Sequence, residues 1–155
     1  KELIRIFARN TEVFNFGCQG PDFFFYSDFW PWIKDKNGVE VGEKLHQEKT
    51  VPLIVESLKY LRQIKNNKKH KFVIFERLLT YITGFIAHYA LDFKTHPLIF
   101  EYGGSGNSHK KLEMELDLKI MEEKWNLNAE NLSPIKAINL GNKLPIFIVD
   151  YYLYI

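Results

Sequence analysis

The sequence predicts an all-α fold, a single-domain helical bundle covering residues 1–155. Three observations support this prediction. Apolar residues recur with the spacing of one helix face in three separate segments. Glycine, proline and asparagine punctuate the chain between those segments. Hydrophobic residues make up 46% of the chain, enough for one sizeable core, and no repeat or low-complexity linker marks a second domain.

The first helix is expected from Lys1 to about Asn15, with Leu3 and Ile4 on its apolar face. The glycines and proline that follow predict its end and a turn that positions Asp22. The aromatic run Phe23–Tyr26 comes next and is either core or the lining of a pocket. Trp30–Gly42 contains turn signals and is predicted to be a loop.

A second helix is predicted from about Glu43 to Ile64, where Pro52 marks either a position near a helix start or a kink. The basic run Lys65–Phe72 is interpreted as a solvated loop between helices, with a binding patch as the alternative. The most apolar helical pattern runs from Phe72 to about Thr95, and it predicts a central, buried helix. Pro97 disfavours helical geometry at the preceding residue, so His96 is expected at or just past the end of this helix.

The segment Glu101–Asn107 is expected to be a loop, with Ser108 capping a helix from His109 to about Trp125. Ser133-Pro134 predicts the start of a further helix that ends near Gly141. The last run, Pro145–Ile155, is compatible with either a helix or a strand.

Composition excludes several kinds of function. The formal charge of +2 is too small to indicate a nucleic-acid partner, and none is expected to bind stably. A single cysteine, Cys18, excludes an internal disulfide framework and a site built from several thiolates. No apolar stretch is long enough for a transmembrane helix. The chain opens without Met or a visible signal peptide, so both ends are expected to be cuts from a longer protein that is either cytoplasmic or secreted.

The sequence also contains a series of potential metal ligands at helical spacing. His88 and Asp92 are four residues apart, as are Asp92 and His96, and also His109 and Glu113. Residues at this spacing project from the same side of a helix and can bind one ion. With 19 acidic residues among 155, five histidines should have roughly 0.6 acidic residues four positions later in the chain by chance, and the chain has two, Asp92 and Glu113. Imidazole and carboxylate without thiolate favour zinc.

Weaker candidates lie nearby. His70 lies among lysines in the basic run, and a solvated role is favoured for it. Glu115 is expected to be solvated, whereas Asp117 is either a solvated acid or an acceptor for a ligating imidazole. Cys18 has no identifiable partner and is expected to pack beside the turn rather than act as a nucleophile.

Four blocks in order carry a family resemblance: FNFGCQGPDFFFYS, GEKLHQEKT, GFIAHYALDFKTHP and HKKLEMELD. Together they resemble the zinc-dependent phospholipase C family, in its bacterial branch. The resemblance implies an all-α fold shared with the S1/P1-type nucleases and a site that holds three zinc ions in the family; two to three are expected here. It assigns one zinc to Asp22, His46, His88 and Asp92, and a second zinc to His96, His109 and Glu113. It also implies that Asp22 acts as general base as well as ligand.

In that family a third zinc shares the carboxylate that matches Asp92 and uses the N-terminal residue and a nearby histidine. No histidine precedes His46 here. These ligands are therefore expected in a region before Lys1, or the third site is absent.

The resemblance implies an enzyme that hydrolyses a phospholipid or another phosphodiester. Two alternatives stay open from the sequence. The same fold could act as a nuclease on single-stranded nucleic acid, which would need a basic groove and stacking surfaces. The chain could also be a non-catalytic metal-binding domain that keeps part of the ligand set.

Overall fold

A computed structural model of the protein describes residues 2–26, 37–67, 72–126, 138–141 and 144–155. All regular secondary structure in these ranges is helical, which confirms the predicted all-α fold. The elements are α1 (Glu2–Arg9), α2 (Thr11–Gly17), a 3-10 helix (Gly20–Tyr26), α3 (Asn37–Gln47), α4 (Thr50–Asn66), α5 (Phe72–Gly103), α6 (Asn107–Trp125) and α7 (Ile146–Tyr154). Predictions for residues 27–36, 68–71, 127–137 and 142–143, including His70 and the start at Ser133-Pro134, lie outside the described residues.

The chain forms two compact units. The first comprises Lys1–Tyr89 and Ile138–Ile155, and the second comprises Ala90–Ala137. Helix α5 contributes its first part to the one unit and its last part to the other. None of the described helices is long and apolar enough to cross a lipid bilayer.

The first two predicted helices are each divided in the structure. The expected helix from Lys1 to Asn15 is interrupted at Asn10, whose side-chain amide donates to the Ile6 carbonyl 2.9 Å away and so competes with the helical backbone. The segment from Glu43 to Ile64 is likewise two helices, α3 and α4. The Thr50 hydroxyl donates to the carbonyls at the end of α3, within 2.9 Å, where the chain changes direction.

The loop predicted for Trp30–Gly42 was wrong in its last part, because α3 begins at Asn37. The turn signal Asn37-Gly38 therefore marks a helix start rather than a loop. Pro52 lies in the first turn of α4. It therefore marks a helix start rather than a kink.

The prediction that the long helix ends before Pro97 was also wrong. Helix α5 continues through Pro97 to Gly103, so His96 is inside it. An internal proline costs about 3 kcal/mol, and burial of Ile99 in the following turn offsets part of that cost. Gly103 adds close packing, since a Cβ there would lie 3.2 Å from the Cα of His109. The connection between α5 and α6 is therefore shorter than the predicted loop Glu101–Asn107. The N-cap residue of α6 is Gly106 rather than Ser108.

The core of the first unit is built around α5, as its apolar pattern predicts. Its buried residues come from α2, α4, α5 and α7: Val13, Leu53, Leu61, Ile64, Leu78, Tyr81, Ile82, Phe85, Tyr89, Phe147, Ile148 and Tyr151. The last run of the chain is thus a helix that packs its apolar residues into this core. Inside it the hydroxyls of Ser57 and Tyr151 are hydrogen-bonded at 2.6 Å, and burial raises the pKa of Tyr151 to about 12.

Candidate metal centre

The first unit brings three potential ligands from three separate elements together. Asp22 lies on the 3-10 helix, His46 on α3 and His88 on α5. Their nearest ligand atoms lie within 4.8 Å of one another. The Oδ1 atom of Asp22 is 2.9 Å from Nε2 of His46 and 4.0 Å from Nε2 of His88. We call these residues the first cluster.

Glycines allow the elements that carry the first cluster to approach closely. Gly17 of α2 lies against Gly84 of α5, where a Cβ on either residue would come within 2.4 Å of a backbone oxygen of the other helix. The chain then turns at Gly20, which has a φ of +55°. A Cβ on Gly20 would lie 2.1 Å from Cδ2 of His88. The turn before Asp22 is therefore pressed directly against the imidazole of His88.

Backbone carbonyls fix the orientation of both imidazoles. Nδ1 of His46 donates to the Gly42 carbonyl at 2.7 Å, and Nδ1 of His88 donates to the Cys18 carbonyl at 3.2 Å. In a neutral imidazole this leaves the lone pair on Nε2, the atom that faces Asp22 in each case. A lone pair and a carboxylate oxygen repel each other unless a proton or a metal ion lies between them. This arrangement is typical of metal-binding histidines.

Aromatic rings surround His46. The Phe25 ring stacks on it with a centroid distance of 5.4 Å, and Gly42 leaves the space that this ring needs, because a Cβ there would lie 2.8 Å from it. The buried Tyr89 is in edge contact with the imidazoles of both His46 and His88. Its hydroxyl donates to the Leu45 carbonyl at 3.1 Å, which ties α5 to α3 beside the cluster.

A second group of potential ligands, the second cluster, lies in the second unit. It comprises His96 on α5 with His109 and Glu113 on α6, and their nearest ligand atoms also lie within 4.8 Å of one another. Oε1 of Glu113 is 3.3 Å from Nε2 of His96 and 3.1 Å from Nε2 of His109. Nδ1 of His109 donates to the Gly104 carbonyl at 3.1 Å, so its lone pair also faces a carboxylate.

A tight connection between two helices forms the second cluster. Gly104 and Gly106 have φ values of +64° and +70°, which suit glycine, and they reverse the chain within a few residues. The Phe100 ring lies against the His109 ring, with a centroid distance of 4.7 Å, and against the His96 ring at 5.6 Å. The second cluster is therefore local in sequence.

Asp92 is not a member of either three-residue group among the described residues. Its Oδ1 lies 4.0 Å from Nε2 of His96, the residue four positions later on α5. The ligand role that the family resemblance assigns to Asp92 stays a prediction.

The donor atoms of both clusters fit zinc. Each cluster offers two imidazole nitrogens and a carboxylate oxygen without thiolate, the set that zinc uses where it must also bind water or substrate. The Nδ1 hydrogen bonds of three of the four histidines supply the outer contacts that such ligands usually have.

The side chains of the remaining described candidates are not members of either cluster. Lys111 forms an ion pair with Glu115 at 3.7 Å on the solvent-exposed face of α6. Partial desolvation and then the charge of Glu113 raise the pKa of Asp117. Burial raises the pKa of the Cys18 thiol, which disfavours the nucleophilic thiolate. Cys18 contributes to the first cluster through its carbonyl instead.

Sequence reasoning missed the residues that hold the imidazoles in place. The carbonyls of Gly42, Cys18 and Gly104 act through the backbone, so residue type gives no signal for them. Tyr89 carried a weak signal, a polar hydroxyl in a strongly apolar helix next to a candidate ligand.

A family model described as zinc dependent phospholipase C matches residues 2–149. Neither the curated proteins nor the solved structures give a match to this chain.

Proposed function

The chain belongs to the zinc-dependent phospholipase C family, and we propose that it is a phosphodiester hydrolase that releases a phosphorylated headgroup from a phospholipid. The observation that carries this proposal is the pair of imidazole–carboxylate clusters, in which the Nε2 atoms of His46, His88 and His109 are all turned towards a carboxylate. Such lone pairs suit a bound cation.

The proposed zinc ligands follow the two clusters. Asp22, His46 and His88 would hold one ion, and His96, His109 and Glu113 would hold a second. Asp92 is proposed as a further ligand of the first ion, on the family resemblance. These seven residues account for two zinc ions. A third ion would require further ligands, so we propose two to three zinc ions for the protein.

Bound zinc would supply a metal-activated water near neutral pH and would polarise the phosphoryl oxygens. The chain itself supplies orientation and a proton acceptor. Asp22 is proposed as the general base, because its Oδ1 lies within 4.0 Å of the Nε2 atoms of both first-cluster histidines. A carboxylate in this position can take a proton from a water held at the same place.

The reaction would be an in-line displacement at phosphorus. The water oxygen forms a bond to phosphorus while the bond from phosphorus to the glycerol oxygen breaks. One water proton passes to the Asp22 carboxylate, and the leaving oxygen takes up a proton from solvent. The products are a diglyceride and a phosphorylated headgroup.

A chromogenic phosphocholine ester tests this proposal. The zinc-loaded protein is expected to cleave it, and a chelator is expected to abolish cleavage until zinc is restored. Elemental analysis of the same sample should give two or three zinc ions per chain. Absence of turnover by the zinc-loaded protein would count against the proposal, and cleavage of single-stranded DNA instead would replace it with the nuclease alternative.

A further inference from the structure

We propose that Phe93 and Phe100 form an apolar subsite that contacts the diglyceride part of a phospholipid beside the second cluster. This inference rests on the proposed function and names the part of the molecule that binds the apolar half of the substrate. Two residues seven apart on a helix lie two turns from each other on one face, so the two phenyl rings share a face of α5.

The exposure of these two rings is the first observation. Phe93 is 77% exposed and Phe100 is 56% exposed. Transfer of a phenyl side chain out of water lowers the free energy of the system. Grouped exposed apolar residues mark sites where a ligand or membrane binds.

Contact with the second cluster is the second observation. The Phe100 ring touches the imidazoles of both His96 and His109. An apolar surface thus begins beside the imidazoles of the second cluster. A phospholipid has the matching order, because its phosphate is linked directly to the glycerol that carries the acyl chains.

Charge beside the subsite is the third observation. The Lys94 ammonium lies 5.7 Å from the centre of the Phe93 ring. A cation next to an exposed aromatic ring suits a phospholipid surface, where phosphates lie just outside the apolar layer.

Partition onto phosphatidylcholine vesicles tests the subsite without depending on turnover. The zinc-loaded wild-type protein is expected to bind, and Phe93→Ala is expected to lower its partition coefficient about five- to tenfold, in line with partial burial of one phenyl ring. Phe93→Trp should bind at least as well as wild type. The matched control is Leu153→Ala, which removes an 82% exposed apolar side chain from the first unit and should bind as wild type.

Hydrolysis gives a second readout. Phe93→Ala should reduce kcat/KM on vesicles several-fold more than on the soluble chromogenic ester. Zinc content and circular dichroism of each variant show whether it is folded and loaded.

The inference is overturned if wild type does not bind vesicles, or if Phe93→Ala binds as wild type does. It is also overturned if wild type sediments as a dimer that Phe93→Ala dissociates, because a second copy would then cover the rings. Lack of turnover on the soluble ester would remove the proposed function alone, since the vesicle measurement stands without it.

Discussion

The two clusters offer the same donor atoms but are assembled in different ways. The first cluster takes one residue from each of three elements, and 66 positions separate Asp22 from His88. The second cluster comes from the end of one helix and the start of the next, within 18 positions from His96 to Glu113. The first therefore depends on tertiary packing, and the second on one tight turn.

Because of this difference, different kinds of substitution should disturb the ligand geometry of the two clusters. Any change that shifts α2, α3 or the 3-10 helix against α5 should disturb the first cluster. The second cluster should respond to changes in the glycine turn or in its own ligands. Substitutions confined to one cluster can therefore test whether each binds zinc independently.

The largest effect is expected for Asp22→Asn, which removes a proposed ligand and the proposed general base together. We expect kcat to fall about 10²- to 10⁴-fold, the range for loss of a general base, and zinc content to fall by one ion per chain. Turnover of the phosphocholine ester and elemental analysis measure these two quantities. Asp150→Asn, an exposed position on α7, is the matched control and should leave both unchanged. A fully active Asp22→Asn protein would contradict the proposed role.

Glu113→Gln should have the next largest effect, because it removes the only carboxylate of the second cluster but not the proposed base. We expect activity to fall about 10²-fold, with one zinc lost and the first-cluster zinc retained. Glu115→Gln, two residues away and exposed, should behave as wild type. Loss of both ions in Glu113→Gln would show that the clusters are coupled rather than independent.

Gly20→Ala breaks the first cluster through packing alone. The left-handed φ of Gly20 makes alanine unfavourable by about 1–2 kcal/mol, and the new methyl group would displace the His88 ring. We expect a lower unfolding midpoint and weaker zinc binding at the first cluster, with the second cluster unaffected. Zinc titration and denaturant unfolding measure these changes.

Gly141→Ala is the control for this substitution. Gly141 has a φ of +100°, but no atom lies within 4 Å of an added Cβ. The Gly141→Ala protein should therefore be destabilised without losing zinc. If both alanine variants bind zinc alike, contact between Gly20 and His88 does not position the ligand.

The smallest effect is expected for Asp117→Asn in zinc-free protein. The pKa of Asp117 is raised, first by desolvation and then by Glu113, so its ionised form destabilises the fold. Removing the charge should stabilise the protein at pH 7 by less than about 1 kcal/mol, because solvent screens this exposed group. The gain should shrink as pH falls through the folded pKa and vanish below the unfolded value of about 3.9. Thermal unfolding at several pH values measures it, and equal gains at pH 7 and pH 3 would exclude this cause.

Much of the helical architecture could be predicted from sequence periodicity. The spacing of apolar residues predicted α5 and its burial, and the cap residue expected at Ser108 predicted α6. Breaks and continuations were harder to predict. Asn10 interrupts a helix because its side chain binds the backbone locally. Helix α5 passes through Pro97, and burial and close packing beyond the proline offset part of the cost of the lost hydrogen bond.

The second cluster could be predicted from local spacing, whereas the first could not. His109 and Glu113 face each other because of a four-residue spacing, which is visible in the sequence. The contact between Asp22 and His46 has no such local signature. It was anticipated only from the family resemblance of the GPD turn and the GEKLHQEKT block.

The sequence by itself determined the chemistry that is available: histidines and carboxylates without thiolates, spaced along helices that must bury their apolar faces. Only the tertiary structure decided which atoms meet and how they are oriented. The carbonyls of Cys18, Gly42 and Gly104 direct the imidazole lone pairs towards carboxylates. Every residue has such a carbonyl, so residue type cannot show which ones accept a hydrogen bond. The choice of Gly42 and Gly104 depends on the local backbone four and five residues before each histidine, and the choice of Cys18 depends on the packing of a distant segment against α5.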